Sequence, residues 1–204
     1  MYWKSNVDAK IKDMELKHSP VIIRVNKFNE DSAKEFSSRM SLAHNTGQKV
    51  IPVVIDSYGG QVYSLMSMIS TIKNSELPVA TIVEGKAMSC GGILFSCGTP
   101  GYRFVTDEAT LMIHDVSSGM VGKNEEIQAS AKETARLNKK IYRILAKNCN
   151  KHKNYFLDEV KSRGQADWFL TAKKAKELGL ADIVGMPKLR VNVYVDIDLE
   201  LPDY

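Results

Sequence analysis

Three short apolar runs decide most of what this chain can fold into. Val21 to Val25 (VIIRV), Val50 to Ile55 (VIPVVI) and Pro78 to Val83 (PVATIV) are rich in β-branched side chains and apolar at consecutive rather than alternate positions. A strand of that kind has to be covered on both faces, which is the condition of a parallel sheet packed between helices. Between the runs the spacing turns helical. Asn29 to His44 reads as a helix begun by Asn29 or Asp31. Val62, Leu65, Met66, Ile69 and Ile72 recur at the intervals of a second helix. The pattern predicts an α/β fold in which strands and helices alternate.

The later chain continues the pattern less regularly. Gly85 to Gly92 is expected to form a turn after the third run, and Phe104 to Thr106 and Thr110 to Ile113 two short strands. Asn124 to Asn148 reads as a long helix with Ile127, Ala131, Ala135, Ile141 and Leu145 on one stripe. A shorter helix follows over Tyr155 to Arg163, and a last one is capped by Thr171 and closed by Gly179. Leu189 to Leu201 alternates apolar and polar residues, as a strand with one buried face does. No linker, repeat or low-complexity stretch interrupts the chain. The expected organisation is a polar N-terminal segment over 1–19 and one domain over 20–204.

Composition narrows the function classes. The 204 residues are 44% hydrophobic and 25% charged, the balance of a soluble globular protein, and the formal charge of +4 is mild. Basic and acidic residues are interleaved, so no nucleic-acid footprint is expected. No run approaches the roughly 18 apolar residues of a membrane span, and the polar start of the chain carries no secretory signal. Cys90, Cys97 and Cys149 are odd in number and lack metal-ligand spacing. They are expected to be reduced core thiols in a cytoplasmic protein without a metal or cofactor.

Four local features carry chemistry. Ser57-Tyr58-Gly59-Gly60 follows a buried strand, where paired glycines let the backbone turn sharply and aim an N–H into a cleft. Ser89, within Gly85-Lys86-Ala87-Met88-Ser89-Cys90-Gly91-Gly92, is crowded by small residues before an apolar helical run, so that its hydroxyl can sit at a helix N-terminus where anions are stabilised. It lacks the G-x-S-x-G spacing of the nucleophile elbow. His114 ends an apolar strand, and Asp167 precedes Trp168-Phe169, where an acid can be held partly buried as the partner of a base must be. Taken singly, each also fits an ordinary part: a tight turn, an N-cap serine, a structural histidine, a loop aspartate.

In order and spacing, however, the four resemble the proteolytic subunit of the Clp protease, the ClpP family. The family's Asn-Ser-Pro-Gly-Gly, Gly-x-Ala-Ala-Ser-Met-Gly, Met-Ile-His and Asp-x-Phe-(Leu/Met)-(Ser/Thr)-Ala read here as Asp-Ser-Tyr-Gly-Gly, Gly-Lys-Ala-Met-Ser-Cys-Gly, Met-Ile-His and Asp-Trp-Phe-Leu-Thr-Ala. Gly60 and Ser89 are 29 positions apart (89 − 60), and Ser89 and His114 are 25 apart (114 − 89), both like the family. Glu177 to Asp182 matches its closing Glu-Tyr-Gly-Leu-(Val/Ile)-Asp, and the resemblance runs from about Pro20 to Val184.

The resemblance implies a ClpP/crotonase-like fold of repeated strand-strand-helix units with a protruding handle over about 117–148. It implies a serine endopeptidase with Ser89 as nucleophile, His114 as base, Asp167 orienting the base, and the N–H groups of Gly60 and Cys90 as oxyanion hole. Substrate, a peptide or unfolded protein, is expected to lie extended between Gly60-Gln61-Val62 and the segment holding Gly119. Heptameric rings stacked to fourteen and an AAA+ unfoldase partner are implied as well. Three departures stand out: Tyr58 for the family's proline, Met88 for an alanine, and a His114-to-Asp167 interval of 53 positions (167 − 114), a few more than usual. Competing expectations are a catalytically silent ClpP-like subunit, a specialised protease of the phage head maturation type, a crotonase, or a Ser-Lys enzyme using Lys86.

Overall fold

The structure, a computed structural model, describes residues 19–164 and 166–191. A mainly parallel sheet of seven strands carries six helices among these residues. Strand β1 (Ile23–Val25), β2 (Ile51–Ser57), β3 (Val79–Met88), β4 (Arg103–Val105) and β7 (Ile183–Val184) lie side by side in that order, all parallel. β3 is long enough to serve two neighbours. Its first half pairs with β4, and Lys86–Met88 pairs in parallel with Thr110–Met112 of β5 (Thr110–Ile113). β6 (Trp168–Thr171) closes this corner antiparallel to β5.

Two of the apolar runs are covered on both faces as expected, but β1 is not: Val21, Ile23 and Val25 are buried while Ile22 and Arg24 are exposed, because β1 is an edge strand. Ile51, Val53, Ile55 and Val83 are fully buried, and burial of each such side chain contributes roughly 1.5–3 kcal/mol relative to exposure. The covering helices are α1 (Glu30–His44), α2 (Val62–Lys73), α3 (Cys90–Ser96), α4 (Asn124–Asn148), α5 (Tyr155–Ser162) and α6 (Ala172–Leu178). Asn29, not Asp31, caps α1: its side chain accepts from the Ser32 N–H while the Ser32 hydroxyl accepts from the Asn29 N–H. Thr171 caps α6, and Gly179 ends it at φ 86°, the left-handed closure that glycine favours.

Four expectations need correction. Gly85 to Gly92 is not a loop: β3 runs on to Met88 because β5 offers a second ladder, and the extra residues are absorbed as an irregularity opposite Ile55 and Ser57. The α4 stripe is buried only from Leu137 onward, while Ile127, Ala131 and Ala135 are exposed. The first part of the expected handle, Ser117 to Lys123, which the resemblance implies is a strand, belongs to no element of the chain. Trp168 to Thr171, read only as aromatic bulk before a helix, is a strand. The expected strand over Leu189 to Leu201 lies outside the described residues beyond position 191, and 189–191 belong to no element.

Candidate active site

Ser89 stands between the last residue of β3 and the first of α3. Its φ of 54° and ψ of −120° are rare for a residue with a side chain, and such a conformation costs of order 1–3 kcal/mol. It is held by its N–H, which donates to the Met112 carbonyl at 2.9 Å. The sharp reversal lifts the hydroxyl to the N-terminus of α3, as the nucleophile elbow does, although the glycine spacing of that motif is missing.

Continued ladders bring the other two groups in. Met88 pairs with Met112, so Ser89 arrives beside the end of β5. Ile113 pairs with Trp168, and one step further along the same antiparallel register His114 faces Asp167. His114 Nε2 is 2.8 Å from Ser89 Oγ, and His114 Nδ1 is 3.6 Å from Asp167 Oδ1. With the imidazole proton on Nδ1, the serine hydroxyl donates to Nε2, the geometry needed to pass a proton from nucleophile to base. Asp167 is half exposed rather than partly buried as expected. The reason is strand alternation: Trp168 turns into the core against Phe156, whereas Phe169 points outward, and Asp167 shares that outer side. Asp115, the sequence neighbour of His114, turns instead to α4, where the buried Tyr142 hydroxyl donates to its carboxylate at 2.7 Å. Burial first, and that carboxylate second, raise the Tyr142 pKa.

Two glycines complete the rim. Gly59 has φ 107° and packs on the serine so closely that a Cβ there would stand 2.8 Å from Ser89 Cβ. Gly60, at φ 147°, leaves no room for a side chain because a Cβ would collide with the Phe28 carbonyl. Gly59 N–H donates to the buried Ser57 hydroxyl at 3.0 Å, and the Cys90 thiol donates to the Gly60 carbonyl at 3.2 Å. Gly60 and Cys90 are thus brought together beside Ser89. Burial pushes the Cys90 thiol up to about 11, so it is a neutral donor rather than a nucleophile. Gln61 has its N–H occupied by the Phe28 carbonyl and its own carbonyl by Leu65 N–H. Gly119 is not drawn to this rim; Val116 and Ser117 are. Neither Phe28 nor the thiol contact was signalled by the sequence.

A cavity of about 250 Å³ opens between these parts. Ser89, His114, Gly60 and Cys90 stand along it, and Leu65, Ile93, Met112 and Ile141 give it an apolar wall. Lys86 takes no part: its ammonium pairs with Asp56 at 2.9 Å and covers the Tyr58 ring. The Asp56 hydrogen bond raises the Lys86 pKa, so it stays a cation unsuited to act as a base. Among the described residues no group of three or more His, Cys, Asp or Glu is arranged to hold a metal, and no helix is long and apolar enough to cross a membrane. The family model described as Clp protease matches residues 5–188.

Proposed function

Because the chain belongs to the Clp protease family, we propose that it is a serine endopeptidase of the ClpP kind in which Ser89, His114 and Asp167 form the triad. The observation that carries this reading is the 2.8 Å contact between Ser89 Oγ and His114 Nε2, made by a serine in strained backbone at a helix N-terminus. Ser89 attacks the scissile carbonyl carbon while His114 takes the hydroxyl proton. His114 then delivers it to the leaving amine, and water repeats the cycle on the acyl-enzyme. Asp167 favours the Nδ1–H tautomer and the imidazolium that forms.

The N–H groups of Gly60 and Cys90 take the developing oxyanion. A donor of this kind contributes about 2.7–4 kcal/mol to the transition state. The apolar wall of the cavity favours substrates with an aliphatic or aromatic side chain next to the cleaved bond. With the Gln61 N–H and the Gly60 carbonyl already used, pairing to an extended peptide falls to Val62 and to the segment at Val116 and Ser117 that lines the same cavity.

Assembly into heptameric rings, stacked to fourteen, is supported by the exposed half of α4 and by Met120, Val121 and Ile127, which a lone chain leaves in water. ATP dependence enters only through an AAA+ unfoldase docked on such rings. The proposal is tested by labelling with a fluorophosphonate probe alongside hydrolysis of a short fluorogenic peptide. Label on Ser89 with turnover supports it. A folded protein that neither labels nor hydrolyses points to the catalytically silent subunit.

A further inference from the structure

The Gly60–Gln61 peptide is gripped at both of its polar ends. Its N–H donates to the Phe28 carbonyl at 2.8 Å, and its carbonyl accepts the Cys90 thiol at 3.2 Å. One residue earlier, the Gly59 N–H is tied to the buried Ser57 hydroxyl. These bonds matter because Gly59 and Gly60, both at positive φ, lack the side chains that would otherwise narrow their conformations. The direction of the Gly60 N–H depends on what anchors the loop on either side of it. Cys90 supplies one anchor from the same residue whose own N–H is the second proposed oxyanion donor. Cys90 is 3% exposed, so water hardly competes for its contact with the Gly60 carbonyl.

We propose that the Cys90 side chain is a positioning residue for the oxyanion hole, holding the Gly60 carbonyl so that the Gly60 and Cys90 N–H groups converge on one point. This rests on the serine-peptidase reading and adds to it a task for the thiol itself, separate from the backbone N–H of Cys90. Removing the thiol loosens one donor without deleting it, so the effect is smaller than the loss of the donor.

The test compares wild type, Cys90→Ala, Cys90→Ser and Cys90→Val on a short fluorogenic peptide and against a peptide boronic acid. The boronic acid forms a tetrahedral adduct with Ser89 and sets an oxygen in the hole. Cys90→Ala is expected to lower kcat about three- to tenfold, the scale of one hydrogen bond, with KM nearly unchanged, and to weaken the boronic acid by the same factor. Cys90→Val, close in volume and without a donor, should match it and stands in if Cys90→Ala does not fold. Cys90→Ser, which keeps a donor, should recover part of the loss in both measurements. The proposal is overturned if the donor-less variants match wild type, if kcat falls without a matching loss of boronic acid affinity, or if Cys90→Ser is no better than Cys90→Ala. A wild-type protein that neither hydrolyses the peptide nor binds the boronic acid sinks the peptidase reading instead. Amide exchange over 57–61 then decides the anchor: faster in Cys90→Ala supports it, unchanged refutes it.

Discussion

The Asp167 carboxylate stands 3.6 Å from Nδ1 of His114, directly across the extended β5–β6 register and half open to solvent. That distance exceeds a hydrogen bond, and contacts of this sort in a substrate-free site tighten when substrate excludes water. Asp167→Asn is therefore expected to lower kcat severely, with about 10⁴-fold as the guide. Asp115→Asn, whose side chain faces Tyr142, should stay near wild type. Both variants are to be measured in parallel on one peptide, with assembly checked for each. If Asp115→Asn is the crippled one, the third member of the triad is wrong.

Gly59 tests the fit around the nucleophile. A methyl there meets Ser89 Cβ at 2.8 Å and Ser89 Oγ at 3.2 Å, and the backbone φ of 107° disfavours any side chain. Gly59→Ala should cost about 10²-fold or more in kcat, the scale of an ångström's misplacement at a reacting group. Thermal stability should fall far less. Unchanged turnover would show that the loop is not where the chemistry is.

Far from the site, Arg103 ties three elements together. Its guanidinium, almost fully buried, bonds the Asp182 carboxylate and the carbonyls of Asn148 and Gly179. Burial alone would raise the Asp182 pKa, but the Arg103 hydrogen bonds outweigh it and the carboxyl lies below its usual value. A lowered pKa in the folded state gives stability that is present above the unfolded value, about 3.9, and lost as pH falls through the folded one. Asp182→Asn should be less stable than wild type at neutral pH, and denaturant titrations should show the gap closing as pH falls below the ordinary carboxylate range. Arg103→Met should cost about 3 kcal/mol, because it leaves a partly buried carboxylate and two carbonyls without their partner.

The sheet was legible because VIPVVI and PVATIV need cover on both faces and VIIRV on at least one, and the α1 and α6 ends because Asn29, Thr171 and Gly179 are specific cap residues. What could not be read depended on partners distant in sequence. β3 extends to Met88 only because β5 lies beside it, and Trp168 to Thr171 becomes a strand only by pairing with β5. The positions of Ser89, His114 and Asp167 were named from motif order and spacing. Their distances, and the anchoring of Gly60 by Phe28 and Cys90, arise from those non-local ladders.

The exposed half of α4 and the residues just before it bear on assembly. Val121 is 99% exposed, and Met120 and Ile127 accompany it. Light scattering after size exclusion should give a mass near fourteen chains, and Val121→Asp with Ile127→Asp should shift it toward smaller species. A monodisperse wild-type monomer at micromolar concentration would contradict ring assembly.

Ser89 as nucleophile is tested by site-resolved fluorophosphonate labelling of wild type and Ser89→Ala, read together with peptide hydrolysis. Label is expected on Ser89 in the wild type, with no label and no turnover in Ser89→Ala and an unchanged fold and assembly. A Ser89→Ala protein that retains more than a few per cent of the wild-type rate, or label on Cys90 in its place, would contradict it.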